Sequence, residues 1–263
     1  MGACADPLEH PLLISHVSGV AFLTLNRPKR FNALSRAVLH ALHAALDSVR
    51  DDVATRVVVI AANGSAFCAG HDLKEMRAAN DQVPITELFQ LCSDMMLKIT
   101  RLPVPVIAEV NGMATAAGCQ LVAQCDLAVA ADHATFAVSG VNLGLFCSTP
   151  AVALSRAISR KRAAGMLMTG DSIDAATALE WGLVNRVVAP NVLRAETLKL
   201  AETLKAKPRA TLALGKALFY RQLEAGVEAA YADASSTIAC NFMQPEAQEG
   251  VAAFLEKRAP VWD

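Results

Sequence analysis

Short apolar runs alternate with longer helical patterns over roughly the first 190 residues of the chain. Residues 12–26, LLISHVSGVAFLTLN, predict two strands joined by a turn at Ser18 and Gly19. Further apolar runs predict strands at positions 57–63, 104–110, 126–131 and 135–138. Because these strand candidates are separated by helical segments, the pattern predicts an α/β fold with right-handed crossovers.

The first predicted helix begins after Ser35, which can cap its N-terminus. One face of this helix carries Leu39, Leu42, Leu46 and Val49 at helical spacing. The helix therefore has an apolar stripe that can pack on the predicted sheet.

Beyond about Pro190 only helical patterns remain. We therefore divide the chain into a core over residues 1–195 and a C-terminal helical segment over residues 196–263. This segment either mediates oligomerisation or only covers the core of its own chain. The polar stretch 77–85, RAANDQVPI, predicts a mobile loop.

Composition excludes several functional classes. The formal net charge of −1 provides no electrostatic footprint for nucleic acid or an anionic membrane, and the chain contains no apolar run of membrane-spanning length. Seven cysteines without a CxxC motif or a regular framework favour a reducing compartment. The N-terminus, with Asp6 and Glu9, lacks signal character. We expect the protein in a bacterial cytoplasm, or in the mitochondrial matrix if a presequence has been removed.

Two stretches share one pattern, a strand followed by a small-residue turn and then a helix. They are residues 57–76, VVVIAANGSAFCAGHDLKEM, and residues 104–124, VPVIAEVNGMATAAGCQLVAQ. Small residues let a ligand approach the backbone, and a helix start directs free N–H groups at it. If the two turns face each other, their N–H groups can form an oxyanion hole, in which a single donor contributes roughly 3–4 kcal/mol. The alternative is two compact β–α turns without a ligand.

These stretches resemble a known family. FCAGHDLKEM and NGMATAAGCQLVAQCDLAVAA resemble the two signatures of the crotonase, or enoyl-CoA hydratase/isomerase, family. LNRPKRFNALS resembles the family's first turn and helix, MTGDSIDAATALEWGLVNRVV its late helix–strand segment, and FLEKRAPVW its C-terminal end. The resemblance therefore spans nearly the whole chain. With SGVNLGLFCSTP, the pattern is most similar to the subgroup named enoyl-CoA hydratase domain-containing protein 3.

The resemblance implies a spiral of βαβ units with a C-terminal helical trimerisation segment, assembled as homotrimers or dimers of trimers. It implies an acyl-CoA thioester as ligand, with coenzyme A present only as part of the substrate, and neither a permanently bound cofactor nor a metal. The thioester oxygen would lie between the backbone N–H groups of His71 and Ala117. The other positions that match the family's binding site are Lys29, Arg30, Ala69, Gly70, Asp72, Leu73, Lys74, Gly118 and Lys257. For the basic residues among them, an ordinary solvated charge is the alternative.

The chain departs from the family where hydratases carry two glutamates. Those positions are Gln120 and Gly140 here. A glutamine side chain can orient water but cannot transfer a proton at neutral pH, and glycine has no side chain. Since positioned acid–base groups contribute about 10²–10⁴-fold to rate, we expect ordinary hydration to be nearly lost.

Other side chains could supply acid–base chemistry. The candidates are Cys147, Ser148, Ser139, Asn142, Glu109 and the His71 imidazole. His40 and His43 lie three residues apart on the first helix as a possible metal pair, although a solvated surface explains them better. Glu75 is expected to support a helix.

The sequence therefore predicts a protein that binds a CoA thioester and stabilises its enolate in acyl-CoA metabolism, with altered or weak hydratase chemistry. Two alternatives stay open. One is a non-catalytic acyl-CoA binder or regulatory subunit, and the other is a true enoyl-CoA hydratase with different acid–base groups. No GxGxxG, Walker A, HExxH or GxSxG motif supports another enzyme class.

Overall fold

The computed structural model describes residues 10–262, which form two β-sheets flanked by helices. Within those residues the strands are β1 Leu12–Val17, β2 Val20–Leu25, β3 Val57–Ala62, β4 Ala66–Cys68, β5 Val106–Val110, β6 Met113–Thr115, β7 Leu127–Ala131, β8 Thr135–Ala137, β9 Ser172–Asp174 and β10 Arg186–Val188.

The same residues form α-helices of very different lengths. They are α1 Arg36–Asp51, α2 Leu73–Ala79, α3 Gln82–Arg101, α4 Ala117–Gln124, α5 Ser148–Ala157, α6 Arg160–Thr169, α7 Ala175–Trp181, α8 Leu193–Lys205, α9 Arg209–Gln222, α10 Val227–Phe242 and α11 Pro245–Leu255. None of the helices between positions 10 and 262 combines the length and apolarity that crossing a membrane requires.

The larger sheet has the order β1-β2-β3-β5-β7-β10 and is parallel except for the β1–β2 hairpin. Its central strands are buried on both faces, as the apolar run of β3 predicts. Val58 and Ile60 of β3 face the large core that contains α1 and α3, whereas Val57 and Val59 face a smaller core beneath α8.

The smaller sheet has the order β4-β6-β8-β9, and each of its strands is only three residues long. Strands β4, β6 and β8 run parallel, and β9 is antiparallel to β8. This sheet orients the candidate site, because its three parallel strands end at one edge.

The C-terminal helices differ in how they pack. Helix α8 covers the larger sheet through Leu193 and Ala201, so by its packing it belongs with the core. In contrast, no whole residue of α9 or α10 is fully buried within the chain, and α11 fully buries only Ala253. The surface of α9–α11 exposes large apolar side chains that include Phe219, Tyr231, Ile238, Phe242 and Phe254.

Most predicted elements are confirmed, including the hairpin at Ser18 and Gly19 and the Ser35 cap on α1. The loop predicted at 77–85 is wrong. Helix α2 continues to Ala79, and α3 begins at Gln82 after a short break. Pro84 is compatible with this because it lies in the first turn of α3, where a missing N–H costs no helical hydrogen bond.

Candidate active site

Three segments meet at the edge where β4, β6 and β8 end. Parallel pairing joins Cys68 of β4 to Ala114 of β6, and Thr115 of β6 to Ala137 of β8. The segments that follow these strands, residues 69–72, 116–120 and 138–142, therefore leave neighbouring strands in the same direction. The structure thus brings together both small-residue turns and the segment of Gly140.

In the first turn, the backbone N–H of His71 points away from the segment around Leu34, with which the turn is paired. The Leu34 N–H donates to the Gly70 carbonyl oxygen at 2.8 Å, and the Asp72 N–H donates to the Leu34 carbonyl oxygen at 3.4 Å. In such a parallel bridge the intervening residue points its own N–H to the other side. Within residues 10–262 the His71 N–H has no backbone acceptor.

The Asp72 side chain holds this first turn in place. It caps α2 by accepting from the backbone N–H of Lys74 at 3.2 Å and of Glu75 at 3.4 Å. It also pairs with the Arg27 guanidinium at 3.4 Å. Glu75 in turn accepts from the backbone N–H of Arg36 at 3.1 Å, at the start of α1, which is the supporting role expected of it.

The second turn is strained at Ala116, immediately before α4. Ala116 has φ 51° and ψ −118°, a conformation that costs a non-glycine residue roughly 1–3 kcal/mol. The Ala116 N–H donates to the Ala137 carbonyl oxygen at 2.9 Å, which holds the turn to β8. Ala117 is the first residue of α4, so its N–H has no partner within the helix.

The two turns are in direct contact. A Cβ placed on Gly70 would lie 3.0 Å from the Thr115 carbonyl oxygen and 3.2 Å from the Ala117 nitrogen. A Cβ placed on Gly118 would lie 2.0 Å from the Cys68 carbonyl oxygen. Glycine is therefore required at 118, and the close approach places the unused N–H groups of Ala117 and His71 on adjacent turns.

The His71 imidazole is a neutral group in an apolar setting. Its ring packs edge-on against Phe89, with centroids 4.9 Å apart, and its Nε2 has no hydrogen-bond partner within the described chain. Burial lowers the pKa of His71 to about 4. At neutral pH the side chain can donate or accept a hydrogen bond but carries no charge.

We expect this histidine to make the protein sensitive to acid. Its pKa is lower in the folded chain than its ordinary value of 6.5, so the unfolded state binds more protons between those values. The free energy of unfolding should fall by about 3 kcal/mol as the pH drops from about 6.5 to about 4. Urea titrations across this range should show a shallower pH dependence for His71→Ala, whereas His40→Ala, at an exposed position, should behave as the parent. An unchanged slope in His71→Ala would contradict this origin.

Gln120 and Gly140, the two positions at which the family resemblance leads us to expect glutamates, have different surroundings. Gln120 lies on α4, is 4% exposed, and its Oε1 has no hydrogen-bond partner within residues 10–262. A Cβ on Gly140 would lie 2.5 Å from the Leu145 carbonyl oxygen and 2.7 Å from the Cys147 sulfur. A side chain at position 140 is therefore excluded by the local fold, a constraint that the sequence does not reveal.

The expectation that Glu109 faces the site is wrong. Its side chain lies on the opposite face of the larger sheet, beneath α8, where it pairs with Arg194 at 2.9 Å. Burial raises the pKa of Glu109, and Arg194 opposes that shift. Alternation along β5 explains the misplacement, because Glu109 shares the face of Ile107.

The other acid–base candidates have mainly structural contacts. The Asn142 amide lies 3.5 Å from the Gly170 carbonyl oxygen, and the Ser148 hydroxyl donates to the Phe146 carbonyl oxygen at 3.3 Å. His43 Nε2 contacts the Leu91 carbonyl oxygen at 2.9 Å, so it is not free to pair with His40. No group of three potential metal ligands occurs between positions 10 and 262.

The basic candidates are exposed. Lys29 and Arg30 form a 3-10 turn that is linked to the first turn, since the Ala69 N–H donates to the Phe31 carbonyl oxygen at 2.9 Å. Lys257 is exposed just after α11. Leu73 and Lys74, at the start of α2, are exposed beside the same turn.

Sequence reasoning missed a buried ion pair behind α4. Asp126 accepts from the Lys216 ammonium at 2.6 Å, from the Tyr220 hydroxyl at 2.7 Å and from the Val106 N–H at 2.7 Å. Burial lowers the pKa of Lys216, and Asp126 opposes that shift. The only sequence signal is Lys216 itself, an isolated charge within the run TLALGKALFY.

A cavity of about 1090 Å³ lies between α3, α4, α5 and α9 beside this ion pair. Gln120 lines it from α4, one helical turn beyond Ala117. Thr149 also lines it, and the Thr149 hydroxyl lacks a partner among the described residues.

Comparison with known proteins gives a consistent result. The enoyl-CoA hydratase/isomerase family model matches residues 15–263. Enoyl-CoA hydratase domain-containing protein 3 of Rattus norvegicus is 46% identical over 260 residues, covering 98% of this chain and 87% of the relative. The probable enoyl-CoA hydratase of Mycobacterium leprae is 32% identical, covering 95% of this chain and 96% of the relative.

Solved structures agree in fold. A crystal structure of an enoyl-CoA hydratase from Mycobacterium smegmatis is 59% identical with a TM-score of 0.94, covering 96% of this chain and 98% of that one. The human enoyl-CoA hydratase domain-containing protein 3 is 46% identical with a TM-score of 0.92, covering 96% of this chain and 100% of that one. The resemblance to the family and to that subgroup is thereby confirmed, as is the α/β crotonase fold with C-terminal helices. The chain belongs to the enoyl-CoA hydratase/isomerase family.

Proposed function

We propose that the protein binds an acyl-CoA thioester and stabilises its enolate or oxyanion between the backbone N–H groups of His71 and Ala117. The observation that carries this proposal is the contact between two turns whose N–H groups have no backbone partner in the described chain. The names of its relatives, which include enoyl-CoA hydratases, support coenzyme A as part of the substrate and a role in acyl-CoA or fatty-acid metabolism.

We infer that the step which forms the enolate differs from the addition of water in ordinary hydration. Gln120 and Gly140 supply no carboxylate, so no group at these positions can take a proton from water. Lack of carboxylates at these positions also removes the charge that would repel an anionic acyl group. We therefore favour decarboxylation of a malonyl-type thioester, in which the C–C bond breaks, carbon dioxide leaves and the electron pair forms the enolate.

Other parts of the chain fit the same ligand and assembly. We propose that the exposed side chains of Lys29, Arg30 and Lys257 contact the phosphates of coenzyme A, with Asp72 supporting the first turn as the cap of α2. The exposed apolar side chains of α9–α11 support a homotrimer or a dimer of trimers, since large apolar patches mark interaction surfaces. The names of the rat and human relatives place those proteins in mitochondria, which supports a mitochondrial matrix location here. The relative from Mycobacterium leprae keeps a bacterial cytoplasm as the alternative.

Proton NMR of crotonyl-CoA and of malonyl-CoA in deuterated buffer tests the reaction. We expect line broadening of crotonyl-CoA without loss of its vinyl signals, and conversion of malonyl-CoA to deuterated acetyl-CoA. Rapid formation of a 3-hydroxyacyl product would instead identify a hydratase with other acid–base groups. Broadening without any product from either thioester would identify a non-catalytic binder.

A variant with one added carboxylate, Gln120→Glu, tests whether the missing acid–base group limits hydration. Gln120→Glu adds an acid at a position that already carries a side chain of the same length, whereas a glutamate at 140 would collide with Leu145 and Cys147. We expect Gln120→Glu to gain crotonyl-CoA hydration by at least about 10-fold, because one positioned acid–base group is worth 10²–10⁴-fold.

A further inference from the structure

The cavity between α3, α4, α5 and α9 extends along α4 from the proposed thioester site. Gln120, Ala123 and Gln124 of α4 all line it. Gln120 and Ala123 are three residues apart and therefore share one face of the helix. Gln120 is itself three residues beyond Ala117, whose N–H has no partner within the helix. The cavity therefore begins one helical turn from Ala117 and follows α4 to its C-terminal end.

The wall of this cavity is mainly apolar. Both carboxylates in the wall are paired with a cation, Asp126 with Lys216 and Glu224 with Arg156. The apolar side chains that line the cavity include Met96, Leu97, Val122, Val152, Leu183 and Phe219. A wall of this kind suits a hydrocarbon group, because binding there removes apolar surface from water.

Two buried polar atoms of the lining residues have no hydrogen-bond partner within residues 10–262. One is the Oε1 atom of Gln120, a residue that is 4% exposed, and the other is the hydroxyl oxygen of Thr149 at the start of α5. Because buried polar atoms are nearly always hydrogen-bonded, both atoms point to a ligand that carries a polar group. An apolar cavity with a few polar groups is the usual form of a small-molecule site.

We propose that this cavity holds the acyl chain of the bound thioester, so that the substrate is a medium- or long-chain acyl-CoA. This inference rests on the proposed function, because it requires the thioester oxygen to lie between the N–H groups of His71 and Ala117. Gln120 and Thr149 contact the polar end of the acyl group, and the apolar wall contacts the chain beyond it. In a malonyl-type thioester, this chain is an alkyl substituent on the α-carbon.

The test is the dependence of affinity on chain length. The volume of about 1090 Å³ exceeds the roughly 300–1,000 Å³ of sites for drug-sized ligands, so a butyryl group leaves most of the cavity unfilled. Each further methylene that enters should tighten binding by about 4-fold, which corresponds to ~0.8 kcal/mol per buried CH₂. Calorimetry should therefore show that decanoyl-CoA binds the unaltered protein at least about 10²-fold more tightly than butyryl-CoA.

Variants that fill the cavity separate it from other apolar surfaces. Ala123→Phe on α4 and Ala157→Phe on α5 each add a ring at a partly buried lining position. Each should lower the affinity for decanoyl-CoA at least about 10-fold more than the affinity for butyryl-CoA, because the ring occupies the space of several methylenes. Ala41→Phe on α1 is the matched control, since Ala41 is also partly buried but does not line the cavity. It should keep the ratio of the two affinities.

The same titrations distinguish the two possible failures. If neither thioester bound the unaltered protein, the proposed function itself would be overturned. Equal affinities for butyryl-CoA and decanoyl-CoA, or a preference for decanoyl-CoA that survives in the cavity-filling variants, would overturn only the assignment of the cavity. Urea unfolding confirms that each variant is folded, and because the two variants lie on different helices, either one alone decides the question.

Discussion

A Gly118→Ala variant is expected to lose CoA-thioester binding together with about 1–3 kcal/mol of folding stability, the usual cost of overpacking a buried position. The added Cβ would lie 2.0 Å from the Cys68 carbonyl oxygen and 2.8 Å from the Cys68 Cβ. Backbone cannot move aside as the end of a flexible side chain can, so the two turns must separate. Calorimetry with butyryl-CoA and urea unfolding measure the two losses.

Gly215→Ala is the control for this variant. Gly215 also lies in a helix, α9, but a Cβ there meets no atom within 4 Å. Alanine should leave binding unchanged and should stabilise the helix by roughly 0.5–1 kcal/mol. If Gly118→Ala bound butyryl-CoA as tightly as Gly215→Ala does, close contact between the turns would not be needed for the site.

An Asp126→Ala variant is expected to lose about 3–5 kcal/mol of the free energy of unfolding, because removing one partner of a buried pair leaves the other charge uncompensated. Asp126 satisfies Lys216, Tyr220 and the Val106 N–H at once. Lys216 also donates to the carbonyl oxygen of Ile99 at 2.8 Å. The variant should therefore loosen α9 from α3 and β5, which urea unfolding and hydrogen exchange in α9 would detect.

The exposed pair between Arg221 and Asp233 is the control for the buried one. It joins α9 to α10 with a 2.6 Å contact, but the side chains of Arg221 and Asp233 are 56% and 35% exposed. Asp233→Ala should cost at most about 1 kcal/mol, as exposed ion pairs usually do. Equal losses in the two variants would show that burial of the Asp126 pair adds nothing. Replacing Lys216 with methionine in the Asp126→Ala background should recover part of the loss, since the uncompensated charge is removed.

The larger sheet was predictable because its signal is local. Residues 57–62 form an unbroken apolar run rich in valine, which is typical of a strand buried on both faces. Strands β4 and β6 of the smaller sheet carry no such signal, since three residues are too few for periodicity. Strand β8 was predicted from TFAV, but its pairing with β6 depends on contacts between residues distant in the chain.

The candidate site, like the sheets, was predictable only where its sequence signal is local. The turns around His71 and Ala117 could be predicted because small residues between a strand and a helix are a local pattern. The need for glycine at position 140 could not be predicted, because it arises from the Leu145 carbonyl oxygen and the Cys147 sulfur, which pack against Gly140. The prediction for Glu109 was wrong because the partner that accommodates its carboxylate on the other face of β5, Arg194, lies far along the chain.

The carbonyl carbon of a bound thioester reports most directly on the central claim, that two backbone N–H groups polarise one thioester oxygen. We would record the ¹³C spectrum of butyryl-CoA labelled at that carbon, free and bound to the unaltered protein. Two donors withdraw electrons from the carbonyl, so the bound signal should move downfield and the shift should be absent from any complex of Gly118→Ala. A bound thioester whose carbonyl signal matches that of the free ligand would show that His71 and Ala117 do not form an oxyanion hole.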